Sequence, residues 1–395
     1  MPVKYIPRRI FSPLKDFLKD SRAVGIVLIA CTTISLILSN TVLFQQDYTN
    51  FWVQTLSIFP ASMHLPQSLL YWINDGLMTV FFFLVGMEIK RELIIGELAS
   101  VQKSMLPVLA ALGGMIFPAV IFFIFNGNTP FHHGWGIPMA TDIAFSLGII
   151  SLLGNRVPVQ LKIFLTALAI IDDLGAIIII AVFYATNMHW GYLLFGLGLL
   201  VVPILFNLMR AKQLLFYFIP GIVIWYCFLN SGIHPTIAGV LLAFCIPLSR
   251  ISSLEHTLYH VVNFIIMPLF ALANTAIIFP SVFDHIIYSP VTYGIMLGLI
   301  LGKPIGIILF SWLSVKLKIA SLPDNTKWKQ ILGTGMIAGI GFTMSIFIAT
   351  LAYKEEEWQV LSKIAIIAGS VIAGISGYFY LRIFSGKNEN KKTGV

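Results

Sequence analysis

The run Leu165–Val182, "LTALAIIDDLGAIIIIAV", sets two adjacent carboxylates, Asp172 and Asp173, among residues that are otherwise almost wholly apolar. An ionised carboxylate is costly to take out of water, and a neighbouring pair without partners more so. The rest of the chain is of the same kind. Of its 395 residues, 58% are hydrophobic and only 11% charged, whereas a soluble domain carries about 25% charged residues. Mean hydropathy is +0.90. Apolar stretches of about 20 residues, enough to cross a ~30 Å hydrocarbon core, recur from Ala23 to Phe384. The fold class expected is an all-α polytopic membrane protein. The first residues are charged and lack a short apolar core with a small-residue cleavage site, so no cleaved signal is expected. Cys31, Cys227 and Cys245 lie in apolar stretches without ligand-like spacing and read as small buried hydrophobes.

Apolar runs between polar or Pro/Gly breaks predict twelve spans, at 22–42, 69–89, 104–125, 133–152, 161–185, 190–208, 214–230, 234–248, 257–279, 291–315, 329–351 and 360–384. Charge in the connections alternates. Of the 25 Lys and Arg, all but Lys303, Lys354 and Lys363 fall in the two tails or in the even-numbered connections, from Lys90, Arg91 and Lys103 to Lys316, Lys318, Lys327 and Lys329. Basic connections stay cytoplasmic, which puts both termini inside. The net charge of +8 therefore reports topology, and no nucleic-acid partner is needed to explain it.

These boundaries divide the chain into three parts: a cytoplasmic segment 1–21, a transmembrane domain 22–384 and a cytoplasmic tail 385–395. In the first, "RRIFSPLKDFLKD" puts Ile10, Phe11, Leu14, Phe17 and Leu18 on one helical face, as in a helix lying on the membrane surface. The external connection 43–68 lacks Lys and Arg and holds β-favouring pieces such as "NFWVQTLSIF", a weak signal for a strand pair. The end "GKNENKKTGV" reads as disordered.

Four ionisable residues remain near the middle of spans: Asp142 in span 4, Asp172 and Asp173 in span 5, and Lys303 in span 10. Each costs about 2.5–3.5 kcal/mol at mid-helix on insertion scales, and such groups mark ion paths or proton relays by default. A structural salt bridge between Lys303 and one aspartate is the bland reading, yet three carboxylates face one amine. Spans 4 and 11 are also interrupted. "WGIPMATDIAFSLGII" carries Gly136, Pro138, Thr141 and Asp142, and "GTGMIAGIGFTMSIFIA" carries Gly333, Gly335, Gly339 and Gly341 ahead of Thr343 and Ser345. Each is the middle span of a triplet, and spans 3–5 begin inside whereas spans 10–12 begin outside. Broken helices at corresponding places in oppositely oriented repeats point to a secondary transporter with its site at the midplane. Asp142 and Lys303 have the signs that offset the half-helix ends meeting there. In span 10, Gly294, Gly298, Gly302 and Gly306 form a flat strip for close helix contact, and Lys303 beside it should face protein.

At these residues the chain resembles the NhaA sodium/proton antiporters. The segments that carry the resemblance are "WINDGLMTVFFFLVGMEIKREL", "PMATDIAFSLG", "LTALAIIDDLGAI", "SGIHPTIAGV", "LGKPIGI" and "GIGFTMSIFIA", in that order, from about Asp75 to Ala352. The resemblance implies that Asp172 and Asp173 are the aspartate pair of the transport site, with Thr141–Asp142 the unwound stretch of span 4 beside it. Lys303 would then be the lysine that pairs with Asp172. It further implies inverted repeats with crossing broken helices, a homodimer in a bacterial inner membrane, no cofactor, and pH control from a cytoplasmic funnel. Glu88, Arg91 and Glu92 match one part of the pH-responsive region, Glu255, His256 and His260 another, and His234 a histidine near the external face. The proline after His234 is alanine in the best-known member. From the residues alone, Glu88, Arg91 and Glu92 are equally a solvated ion-pair patch at a helix end. His256 and His260, one turn apart, lack a third metal ligand.

The expected activity is electrogenic exchange, about two protons in for each Na+ or Li+ out, by competition of protons and a hard cation for the same oxygens. The chain is thus read as a transporter and not an enzyme. Three rivals are weaker. An intramembrane aspartyl protease needs one aspartate from each of two helices, and span 11 has none. A cation channel would pass ions far faster than a carrier, and a sodium-coupled solute symporter of the same fold would need an organic substrate.

Overall fold

The computed structural model describes residues 21–55, 65–185, 187–279 and 288–386. The expected surface helix before residue 20 and most of the tail lie outside them. The described residues are nearly all helical. Eight helices are long and apolar enough to cross a membrane: Arg22–Asn40, Leu69–Ile94, Ser104–Asn126, Val159–Phe183, Trp190–Leu208, Leu248–Asn274, Pro290–Lys316 and Glu356–Phe384. They correspond to expected spans 1, 2, 3, 5, 6, 9, 10 and 12. Spans 4 and 11 are bent pairs, Pro130–Met139 with Ile143–Leu152 at 44° and Trp328–Ala338 with Phe342–Ala352 at 47°. At spans 7 and 8 stand two shorter apolar helices, Leu215–Leu229 and Thr236–Cys245. At 1.5 Å per residue neither covers ~30 Å. Twelve is therefore a count of apolar segments rather than of full-length crossings.

Two expectations near the ends of spans change. Lys90 was placed in a connection, but the helix Met78–Ile94 continues through it and buries it. Its ammonium donates to the carbonyls of Phe244 (2.8 Å) and Ile246 (2.5 Å), at the C-terminus of Thr236–Cys245. A cation there satisfies carbonyls that the short helix leaves unpaired. Lys363 likewise lies inside the helix Glu356–Phe384 and is buried. In the connection 43–68, Gln45–Val53 is a helix with Asp47 in its first turn, where an acidic side chain is favourable. That removes the first part of the expected strand pair. An isolated bridge, Thr55 to Ser68, remains, and 56–64 lies outside the described residues.

Span 10 packs as its glycines predict. A Cβ at Gly294 would strike Asn126 and Phe122, one at Gly302 would strike Pro118 and Ile121, and one at Gly306 the backbone of Gly113. Spans 3 and 10 thus meet backbone to backbone over several turns. A π-helical turn, Gly298–Gly302, immediately precedes Lys303, whose side chain is 0% exposed. Two further π turns lie in spans 2 (Trp72–Leu77) and 9 (Val262–Ile266). The three cysteines are free, with Cys227 and Cys245 buried as expected.

Candidate functional site

The two broken spans meet at their breaks, and each half lies against a half of the other that runs the opposite way. Ile143–Leu152 packs beside Trp328–Ala338, and Phe342–Ala352 beside Pro130–Met139. The Asp142 amide donates to the Ile340 carbonyl at 2.7 Å. The Ser146 hydroxyl donates to Ile337 O (3.2 Å) and the Ser345 hydroxyl to Ile137 O (2.7 Å). Carbonyls that end one helix are thus satisfied by hydroxyls near the start of another, which is how irregular backbone persists at membrane depth.

Asp142 sits where two half-helices begin. Its Oδ1 accepts from the Phe145 amide (2.9 Å), and its Oδ2 from the Thr343 amide (3.2 Å) and the Thr343 hydroxyl. One carboxylate therefore caps two positive N-terminal ends. Lys303 takes the opposite post. Its Nζ donates to the carbonyl of Met139, where the first half of span 4 ends, and lies 2.7 Å from Asp172 Oδ2. Both sides of that ion pair are fully buried. The Thr141 hydroxyl lies 2.6 Å from the same Asp172 Oδ2 and 3.0 Å from Ala338 O, and its single proton can serve only one of them.

The aspartates differ although they are neighbours. Asp172 is held by Lys303 and Thr141, while Asp173 borders a funnel of about 160 Å³ that it shares with Asp142, Thr343, Asn263, Arg91 and Glu88. Both are 1% exposed. In each, Oδ1 accepts no hydrogen bond from any described residue. Buried oxygens without a donor are what a proton or a hard cation would satisfy.

At the mouth of the funnel, Arg91 joins Glu92 (Nη1 to Oε1, 2.7 Å) to Glu255 (Nε to Oε2, 3.0 Å), tying span 2 to span 9. Glu88 lines the funnel one turn inward. The structure thus brings Glu88, Arg91, Glu92 and Glu255 together. His256 and His260 are exposed beside them with rings 5.8 Å apart, and among the described residues no group of three metal-ligating side chains forms. His234 stands apart from this cluster. Its Nε2 is 3.1 Å from Asp75 Oδ1, and its ring meets Phe347 edge-on at 5.2 Å.

Asp75 is one residue that sequence reasoning passed over. It lies in "WINDGL" near a predicted span end, where a carboxylate reads as solvated. The hydroxyls on the first half of span 4, Pro130–Met139, are others. Tyr184 donates to His133 O (2.9 Å) and Tyr353 to Phe131 O (2.8 Å). Tyrosines at the ends of apolar spans carry no signal that separates them from ordinary interface anchors.

Comparison with known proteins agrees with this geometry. The family model described as Na+/H+ antiporter 1 matches residues 15–381. A Flavobacterium johnsoniae protein named Na(+)/H(+) antiporter NhaA 2 is 51% identical, over 98% of this chain and 95% of its own. A Clostridium beijerinckii protein named Na(+)/H(+) antiporter NhaA 1 is 45% identical over 98% and 99%, and a Shewanella frigidimarina NhaA is 45% identical over 93% and 95%. With a buried aspartate pair beside two crossed broken helices and a family match along nearly its full length, the chain belongs to the Na+/H+ antiporter 1 family.

Proposed function

We propose that the protein exchanges sodium, or lithium, for protons across a bacterial inner membrane, with both termini in the cytoplasm and two protons moved per cation. The observation that carries this reading is the unequal aspartate pair, of which one member lines the funnel and the other is bound behind it. Asp173 faces the funnel, Asp172 is bound to Lys303 and Thr141, and each has an oxygen without a donor. Asp173 receives the cation or proton from the funnel. Asp172 completes the site when Lys303 lets go, and Thr141 can turn its hydroxyl to Ala338 O and offer a lone pair to the cation. Asp142 and Lys303 hold the half-helix ends whose opposite polarities frame the site. Glu88, Arg91, Glu92 and Glu255 form the charged mouth through which cytoplasmic pH reaches it, with His256 and His260 beside them and His234 on the far side. Purified protein in liposomes with an imposed pH gradient tests this. Sodium or lithium added outside should collapse the gradient within seconds, potassium should not, and no organic solute should be required. A gradient indifferent to both small cations would exclude the reading.

A further inference from the structure

The outer half of span 4, Pro130–Met139, is a 3-10 helix ten residues long. Such runs rarely exceed three or four residues because their hydrogen bonds are poorly aligned, so a long one needs support from outside itself. Three hydroxyls supply it. Tyr353 donates to Phe131 O, Tyr184 to His133 O and Ser345 to Ile137 O. The Phe131 and His133 carbonyls have a second lone pair to offer besides the one used within the helix, and Ile137 O lies at the helix end. Glycine makes the approach of the phenols feasible, since a Cβ at Gly134 would collide with the Tyr353 ring and one at Gly136 with the Tyr184 hydroxyl. Tyr353 is 1% exposed and meets Phe131 and Trp358 edge-on.

The two tyrosines sit at telling places. Tyr184 follows directly on Val159–Phe183, the helix of Asp172 and Asp173, and Tyr353 follows on Phe342–Ala352, whose start Asp142 caps. At its other end the clasped half-helix stops at Met139. The amide that would continue it, Asp142 N, is turned away to Ile340 O. The Met139 carbonyl is therefore free to accept from Lys303, and it is the second acceptor of that ammonium beside Asp172. An ammonium with another acceptor can release a carboxylate at less expense than one without.

We propose that Tyr184 and Tyr353 are positioning residues of the exchange site: by clasping the outer half of span 4 they hold the Met139 carbonyl against Lys303, and so ease the release of Asp172 to a cation. This rests on the exchange reading above. The rings stay in place in Tyr→Phe variants, so the test removes only the hydroxyls. The full chain is reconstituted in liposomes and sodium is titrated for the parent, Tyr184→Phe, Tyr353→Phe and the double variant. Amide exchange across 130–139 is followed in parallel. In the double variant the apparent KM for sodium should rise about tenfold, the size of a partly lost hydrogen bond to a charged group, with the rate at saturating sodium nearly unchanged and faster amide exchange in the half-helix. Each single variant should move part of the way and carries the test alone if the double variant does not fold. Tyr217→Phe is the control. Tyr217, in span 7, loses a comparable hydroxyl bond, to Ala211 O in the preceding connection at 3.1 Å, and should leave KM unaltered. Faster amide exchange with unchanged KM would make the clasp merely structural and overturn the proposal, as would an equal KM rise in Tyr217→Phe. A parent that moves no protons on sodium addition would instead remove the exchange reading itself.

Discussion

Two adjacent aspartates of one helix have unlike surroundings, and the difference sets their expected behaviour. Asp173 opens to the funnel and makes no ion pair among the described residues, while Asp172 is tied to Lys303 at 2.7 Å. Asparagine at 173 keeps the shape of the side chain but cannot exchange a proton. Asp173→Asn should therefore fold with near-parent thermal stability and lose sodium-driven proton movement in liposomes, by at least about 100-fold, the low end for losing a positioned proton-transfer group. Parent rates would refute its role. Lys303 separates structure from transport. Lys303→Gln leaves a buried carboxylate without its cation, a loss of about 3–5 kcal/mol, so thermal unfolding in detergent should shift markedly downward. Lys303→Arg keeps the charge, and a guanidinium does not practically deprotonate. If the lysine is only a counter-charge, the Arg variant should exchange sodium and still respond to membrane potential. Exchange that has become indifferent to potential would instead assign one of the protons to Lys303.

At the level of elements, the interruptions were legible because their cause is local. Pro138 and the glycines of "GMIAGIG" (335–341) free backbone groups whatever their neighbours, and both spans bend there. The glycine strip of span 10 was legible for a similar reason, since spacing alone places Gly294 to Gly306 on one face. What could not be read depends on partners distant in the chain. The 3-10 form of Pro130–Met139 is held by Tyr184 and Tyr353, and nothing within those ten residues predicts it. Lys90 read as a loop cation because its acceptors, Phe244 and Ile246, lie some 150 residues away. Asp142 is the contrary case: its charge alone marked it as an offset for the half-helix ends, and both of its oxygens accept there. The Lys90 arrangement carries its own prediction. Lys90→Met should leave two carbonyls at the end of Thr236–Cys245 unpaired and destabilise the protein by about 1–3 kcal/mol, without altering the apparent KM for sodium. An unchanged unfolding temperature would show that the bonds contribute nothing.

For the whole molecule, the family match and the crossed half-helices describe an antiporter-family membrane protein, and the proposed site lies where its two broken spans meet. If two protons are exchanged per small cation, as proposed, the cycle moves net charge. Proteoliposomes should therefore build a potential during exchange and change rate when valinomycin and potassium impose one. Rates independent of potential across the active pH range would mean one-for-one exchange. The backbone contact between spans 3 and 10 adds a mechanical constraint on that cycle. Where Gly113 faces Gly306, sliding either helix by a residue would drive Ile305 or Ile307 into the space that a missing side chain leaves open. That seam behaves as a weld, so the two helices travel as one stiff plate with Lys303 riveted to it. The play in the machine is then left to the funnel wall, where spans 2 and 9 present Glu88, Arg91 and Asn263, side chains that can turn without moving a backbone.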